Sequence, residues 1–80
     1  MKHVYVSHLG AAQGHFPVNG VFNCWENATK SWEATYSNTD GKVEFKNTDY
    51  VGRSAKEVYF NGSVVGCIVE WPLLESPDHL

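Results

Sequence analysis

Short stretches of this chain alternate apolar and polar residues with the period of a β-strand. In residues 2–8, Val4 and Val6 share one side and polar or aromatic residues occupy the other. Ten valines against four leucines, with an aromatic content of 14%, also favour strands over helices. We therefore expect strands at residues 2–8 and 21–25, with one of them at an edge of the sheet.

A first hairpin is predicted at Asp40 and Gly41, which separate residues 31–37 from residues 42–46. Asp-Gly is a preferred pair for a two-residue turn, because both central positions need a positive φ. The register that follows places the apolar side chains of both segments on one face and the charged ones on the other. Both segments are therefore predicted to be strands.

A second hairpin is predicted at Asn61 and Gly62, joining residues 56–60 to residues 63–71. The later segment is apolar on both faces, which is typical of a central strand covered on both sides. An alternative exists, because residues 54–57 match a capping box and Gly62 could end a short helix. Residues 54–60 are thus open to two interpretations, strand or helix.

Together these patterns predict an all-β or β-dominated α+β fold. We expect a small, mostly antiparallel sheet or partly open barrel of about five or six strands with at most one short helix. Residues 1–71 would form a single compact domain, and residues 72–80 a C-terminal tail. Residues 9–20 form a long connection rich in turn residues, and loops of that length are often functional.

The net charge of −3 is unevenly placed. Residues 1–69 hold six basic and six acidic side chains, so the whole excess lies in residues 70–80, which carry three acidic residues and no Lys or Arg. This acidic and apolar end has two interpretations: a docking segment for a basic partner, or a terminus that folds back over the core. A neutral body also argues against a nucleic-acid partner, which would demand a basic face.

The residue patterns that signal catalysis or metal binding are weak. The four histidines lack the spacing of a metal-binding pair, and the two cysteines form no Cys-x-x-Cys. His15, Arg53 and Glu57 could together cleave RNA by acid and base catalysis, but no basic surface accompanies them to hold phosphates. We expect no enzyme activity, no metal and no cofactor.

Aromatic side chains are more numerous than one thin core can conceal, so some should form a binding surface. We predict a partner-binding set drawn from these aromatics and from the tail: Trp25, Tyr50, Trp71, Leu73, Leu74, Glu75 and Asp78. An alternative ligand-binding set would line a pocket between subunits: His15, Asn19, Tyr50 and Arg53.

These sets lead to two hypotheses of function. The first is a non-enzymatic protein that binds a larger protein partner stoichiometrically, such as a phage or mobile-element inhibitor of a host enzyme or defence system. The second is a protein that binds or sequesters a small ligand, with a nucleotide as one candidate. We also expect a homodimer, because an unpaired edge strand invites pairing. No apolar run reaches the roughly 18 residues of a membrane span and no signal peptide is evident, so the expected location is cytoplasmic.

Overall fold

The computed structural model describes residues 2–10 and 18–73 of the chain. Within these residues, five strands form one antiparallel sheet in the order β2-β1-β5-β4-β3, and a single helix follows β2. The elements are β1 (His3–Leu9), β2 (Val18–Phe22), α1 (Trp25–Thr35), β3 (Val43–Tyr50), β4 (Arg53–Phe60) and β5 (Ser63–Pro72). The sheet is open rather than closed into a barrel, which confirms the β-dominated α+β prediction.

Helix α1 lies against one face of the sheet and builds the larger core. Trp32 and Ala28 of α1 pack with Val58 and Ile68 of the two central strands, and all four are buried. The Trp32 indole N–H donates a 2.7 Å hydrogen bond to the buried Ser7 hydroxyl of β1. This bond satisfies the two polar groups that the helix and sheet would otherwise bury unpaired.

The hairpin predicted at Asp40 and Gly41 is wrong. Most of residues 31–37 belong to α1, and Asp40 and Gly41 lie in the loop from α1 to β3. The physical reason is a stripe at helical spacing, in which Trp25, Ala28 and Trp32 all pack towards the sheet. The strand predicted at 21–25 is also misplaced, because β2 ends at Phe22 and Trp25 begins the helix.

The hairpin at Asn61 and Gly62 is confirmed, and residues 54–60 are strand rather than helix. The register of this hairpin shifts between Val58 and Tyr59, so that Tyr59 pairs with Val64 but Val58 pairs with Gly66. β5 lies in the middle of the sheet, as its apolar pattern predicts. Among the strands of the described residues, β1 is also interior, and β2 and β3 form the edges.

The sheet face opposite α1 is called the far face here. Alternation along the strands assigns to it Ala55 of β4 together with Cys67 and Val69 of β5, and these three side chains form a second, smaller buried cluster. Tyr50 and Trp71 pack against this cluster at the end of the sheet where β3 turns into β4. The far face at that end holds the candidate site.

Candidate functional site

Three of the side chains singled out from the sequence meet on the far face. The Trp71 ring lies 6.4 Å from the Tyr50 ring, centroid to centroid, in an edge-on arrangement with an interplanar angle of 80°. The Arg53 guanidinium carbon lies 5.4 Å from the Trp71 centroid, over the face of the ring. Tyr50, Arg53 and Trp71 are called the Trp71 cluster below. They come from three adjacent strands, which fix their relative positions.

The buried residues beneath the cluster give it a rigid base. Tyr50 and Trp71 pack against Ala55, Cys67 and Val69, each no more than 3% exposed. Burial raises the pKa of the Cys67 thiol, with a smaller contribution from the Glu57 carboxylate. The thiol therefore stays protonated at neutral pH, and it acts as a small apolar side chain in the base of the cluster rather than as a nucleophile.

The turn beside the cluster contains an unusual residue. Val51 and Gly52 connect Tyr50 to Arg53, and both have a positive φ, 50° and 76°. A β-branched side chain is strongly disfavoured in this left-handed region, where Asn, Asp and Gly are normal. Val51 is nevertheless 79% exposed, so burial of its side chain does not offset the backbone strain. The tip of the β3–β4 hairpin thus presents an apolar side chain to solvent at a cost to stability.

Arg53 differs in its contacts from Lys30, Lys42 and Lys56, and resembles Lys46, whose ammonium lies 4.8 Å from the Tyr59 ring centroid. Lys30 and Lys42 pair with Glu26 and Glu44 at 3.2 and 3.5 Å. Lys56 donates to the Asn47 side-chain oxygen at 2.7 Å. Within the described part of the chain, the contact of the exposed Arg53 guanidinium is with the Trp71 ring and involves no carboxylate. Its N–H donors are therefore available to an external acceptor.

Trp25 lies on the opposite side of the sheet from the Trp71 cluster. Its ring centroid is 4.7 Å from that of Tyr5, and the Lys56 ammonium lies 5.1 Å from it on the same face. The Tyr5 hydroxyl donates to Glu70 at 2.8 Å, and this hydrogen bond is the main cause of a raised Tyr5 pKa. The structure therefore places Trp25 in the packing at the start of α1, apart from Tyr50 and Trp71.

Leu73 lies close to the cluster in sequence. It is 43% exposed, two residues after Trp71, and its backbone N–H donates to the Lys2 carbonyl at 2.9 Å. This bond holds Leu73 beside the start of β1 and keeps its apolar side chain at the same end of the sheet. The remaining tail residues of the predicted set lie outside the described residues: Leu74, Glu75 and Asp78.

The alternative ligand-binding residues are not all brought together in one chain. Asn19 is an exposed residue of β2, at the opposite edge from β3. Three strand spacings separate β2 from β4, about 14 Å at 4.8 Å each, so Asn19 does not reach Arg53 or Tyr50 within one chain. His15 lies outside the described residues.

Val51 was not singled out from the sequence. In the sequence, Val51-Gly52 lies between two alternating segments, and only the glycine suggests a turn there. A turn with a positive φ at both central positions normally carries Asn or Asp at the first. Valine at position 51 therefore gives no sign of this turn in the sequence. The positive φ becomes visible only when the strands are paired.

Metal-binding clusters and membrane-spanning helices are both absent from residues 2–10 and 18–73. No group of three or more His, Cys, Asp or Glu side chains converges there to hold a metal ion. No helix in those segments is long and apolar enough to cross a membrane.

Comparison with known proteins adds no assignment. No family model, no curated protein and no solved structure matches this chain.

Proposed function

We propose that this protein is a non-enzymatic binding protein that acts stoichiometrically on a larger protein partner through the Trp71 cluster and Val51. The observation that carries the proposal is Val51, an exposed β-branched residue held at a positive φ next to two aromatic rings and an arginine. Strained residues of this kind concentrate at sites of function.

Val51 lowers the stability of the isolated fold. A left-handed conformation costs an L-residue roughly 1–2 kcal/mol, and a β-branched side chain makes it worse. An exposed valine recovers little of that through burial. A contact with a partner would give this side chain the burial that the isolated chain does not provide.

The surroundings of Val51 have the composition of a protein-binding surface. Tyr, Trp and Arg are the residues enriched among those that dominate binding energy at protein interfaces. Tyr50 and Trp71 are half-buried and in contact, so they lose little side-chain entropy when a partner covers them. An apolar tip beside a rigid aromatic and cationic cluster is thus suited to insertion into a pocket.

Coverage of a partner's surface is enough for such binding to act. A small domain that covers part of a larger enzyme can block access to that surface without chemistry of its own. This is the mode of a small inhibitor, such as those of phages and mobile elements, and the proposal extends to that role.

Site-specific photocrosslinking tests the proposal. An aliphatic diazirine residue is placed at position 51, and a matched control carries it at exposed Ser63, beside the turn at the other end of β4. In a lysate of the source cells, we expect a discrete one-to-one adduct from position 51 and none from position 63. The adduct should disappear when Trp71→Ala is added.

Two outcomes of the crosslinking experiment would contradict the proposal. Identical products from positions 51 and 63 would show that the β3–β4 turn has no special partner. The complete absence of an adduct at position 51 would overturn the proposal. Circular dichroism of each labelled protein confirms that the sheet is intact before the lysate is used.

A further inference from the structure

We infer that the segment of the partner that contacts this surface carries a carboxylate next to apolar side chains, and that Arg53 binds this carboxylate. The inference rests on the proposed function and deepens it by naming the chemistry of the bound segment. It begins from Arg53, whose exposed guanidinium contacts the Trp71 ring and no carboxylate of the described chain.

The position of Arg53 suits it to bind an anion. Its guanidinium lies over the Trp71 ring, and a cation on an aromatic face is held there without using its N–H donors. The planar guanidinium can then donate two parallel hydrogen bonds to a carboxylate, a geometry that lysine lacks. Arg53 is thus prepared for a partner acceptor before binding occurs.

The neighbours of Arg53 specify the rest of the bound segment. Val51 and Leu73 are exposed apolar side chains at the same end of the sheet, and Tyr50 and Trp71 offer ring surface between strands. A partner segment that covers all of them must be mainly apolar where it does not face Arg53. An acidic residue flanked by aliphatic or aromatic residues has that pattern.

The charges of the far face favour a carboxylate over a nucleic-acid backbone. The far-face carboxylates of Glu44 and Glu57 already lie near lysines, because Lys42 pairs with Glu44 at 3.5 Å and Lys46 lies opposite Glu57 in the strand pairing. A protein that follows a phosphate backbone needs several uncompensated cations along a groove. One guanidinium in a neutral surface instead matches a single carboxylate.

Peptide selection tests the inference without knowledge of the partner. A random linear peptide library is displayed against the intact wild-type protein and against Arg53→Glu, with Lys46→Glu as the matched charge reversal on the same face. We expect wild-type and Lys46→Glu to enrich peptides with Asp or Glu beside apolar residues. Arg53→Glu should lose that acidic preference.

Binding measurements then isolate the carboxylate contact. For a selected peptide measured by fluorescence anisotropy, Arg53→Gln should weaken binding about tenfold or more, as expected for a charge-assisted hydrogen bond. Replacing the peptide's acidic residue by its amide should cause a similar loss on wild-type and little further loss on Arg53→Gln. This cycle separates a direct contact from an indirect one.

Each contrary outcome has a separate meaning. Peptides that depend on Val51 and Trp71 but show no acidic preference would overturn the inference and leave the proposed function standing. The same holds for a failure to enrich any peptide while the position 51 crosslink is present. Stronger Arg53-dependent binding of a phosphopeptide or of oligo-dT than of the selected peptide would also overturn it. Loss of both enrichment and crosslink would remove the proposed function as well.

Discussion

The two turns at the ends of β4 solve the same backbone problem with different residues. Val51 and Gly52 connect β3 to β4, and Asn61 and Gly62 connect β4 to β5. The φ angles are nearly the same, 50° and 76° in the first turn and 53° and 84° in the second. Only the first central residue differs in kind, a β-branched valine against an asparagine.

The Asn61 turn is tied to the rest of the fold. The Asn61 backbone N–H donates to the Lys42 carbonyl, and the Asn61 side-chain oxygen accepts from the Lys42 N–H, both at 3.0 Å. Asparagine also tolerates the left-handed region better than most residues. This turn therefore stabilises the pairing of the start of β3 with the end of β4, and its asparagine has a structural role.

The Val51 turn lacks that explanation. Its side chain is exposed and strained, while the cluster beside it holds an arginine without a carboxylate partner in the described chain. The Asn61 turn thus suits the fold, whereas valine at position 51 lowers the stability of the other turn. A residue that opposes the fold is better evidence of function than one that supports it.

Exchanging the residue types at the two turns should give effects of opposite sign, and the largest is expected at Asn61. Asn61→Val removes the hydrogen bond to Lys42 and places a β-branched residue at a positive φ. We expect a loss of about 2 kcal/mol in the free energy of unfolding. Thermal unfolding followed by circular dichroism should show the melting temperature falling by roughly 10 °C.

A matched variant separates the two causes of that loss. Asn61→Gly removes the side-chain hydrogen bond but accepts the positive φ, so its melting temperature should lie between those of wild type and Asn61→Val. A melting temperature of Asn61→Val equal to that of wild type would mean that the Asn61 turn is no better suited to the fold than the Val51 turn.

Replacing Val51 by asparagine is expected to have a smaller effect of the opposite sign. Val51→Asn relieves the strain at φ 50° without removing a buried contact, since the valine is exposed. We expect the free energy of unfolding to rise by about 1 kcal/mol and the melting temperature by roughly 5 °C. The affinity for the selected peptide should fall in the same variant.

The combination of higher stability and weaker binding is the informative result. Val51→Ala serves as the control, because it keeps an apolar residue at the tip while shortening the side chain. If Val51→Asn is less stable than wild type, the valine has a structural role and the contrast between the two turns disappears.

The sequence predicts the sheet better than it predicts the helix. Asn61-Gly62 between two β-rich segments identified one hairpin, because Asn-Gly readily takes the positive φ that both central positions of that turn need. Asp40-Gly41 has the same preference for a turn but follows a helix. The residues of a turn do not show whether the preceding segment is a strand or a helix. The spacing of Trp25, Ala28 and Trp32, which is that of one face of a helix, indicates that this segment is helical.

The candidate site could be predicted only in part from the sequence, because its residues come from three different strands. Tyr50, Arg53 and Trp71 were singled out by residue type, and alternation within one strand gives no relative position for residues on three strands. Trp25 was grouped with them on the same grounds, yet the helix carries it to the other face. Which aromatics meet depends on strand order, and strand order is set by the packing of the whole chain.

Two far-face cations, Arg53 at the start of β4 and Lys46 in the middle of β3, should differ in binding but not in stability. Arg53→Gln and Lys46→Gln each remove a charge near an aromatic ring, Trp71 in one case and Tyr59 in the other. Exposed cation–π contacts contribute about 0.5–1 kcal/mol, so both melting temperatures should fall by only a few degrees. Peptide affinity should fall for Arg53→Gln alone, and an equal fall for both would indicate a non-specific effect of charge.

The smallest expected effect is a titration at the Asn61 end of β4. The Tyr59 hydroxyl donates to Glu57 at 2.9 Å, and this hydrogen bond is the main cause of a raised Tyr59 pKa. The folded state therefore holds the Tyr59 proton more firmly than the unfolded state does. The contribution to stability is complete below the unfolded pKa of about 10 and is lost as the pH rises through the folded pKa.

Tyrosinate absorbance, measured as the difference between wild type and Tyr59→Phe, should show Tyr59 ionising above its ordinary pKa. In Glu57→Gln the acceptor oxygen remains but the negative charge is gone, so the Tyr59 pKa should move down towards its ordinary value. Glu70→Gln is the control, since it removes the matching carboxylate from Tyr5 and should leave Tyr59 unchanged. An unchanged Tyr59 titration in Glu57→Gln would show that the hydrogen bond between Tyr59 and Glu57 does not raise the Tyr59 pKa. The contrast between the two ends of β4 would then depend on Asn61 alone.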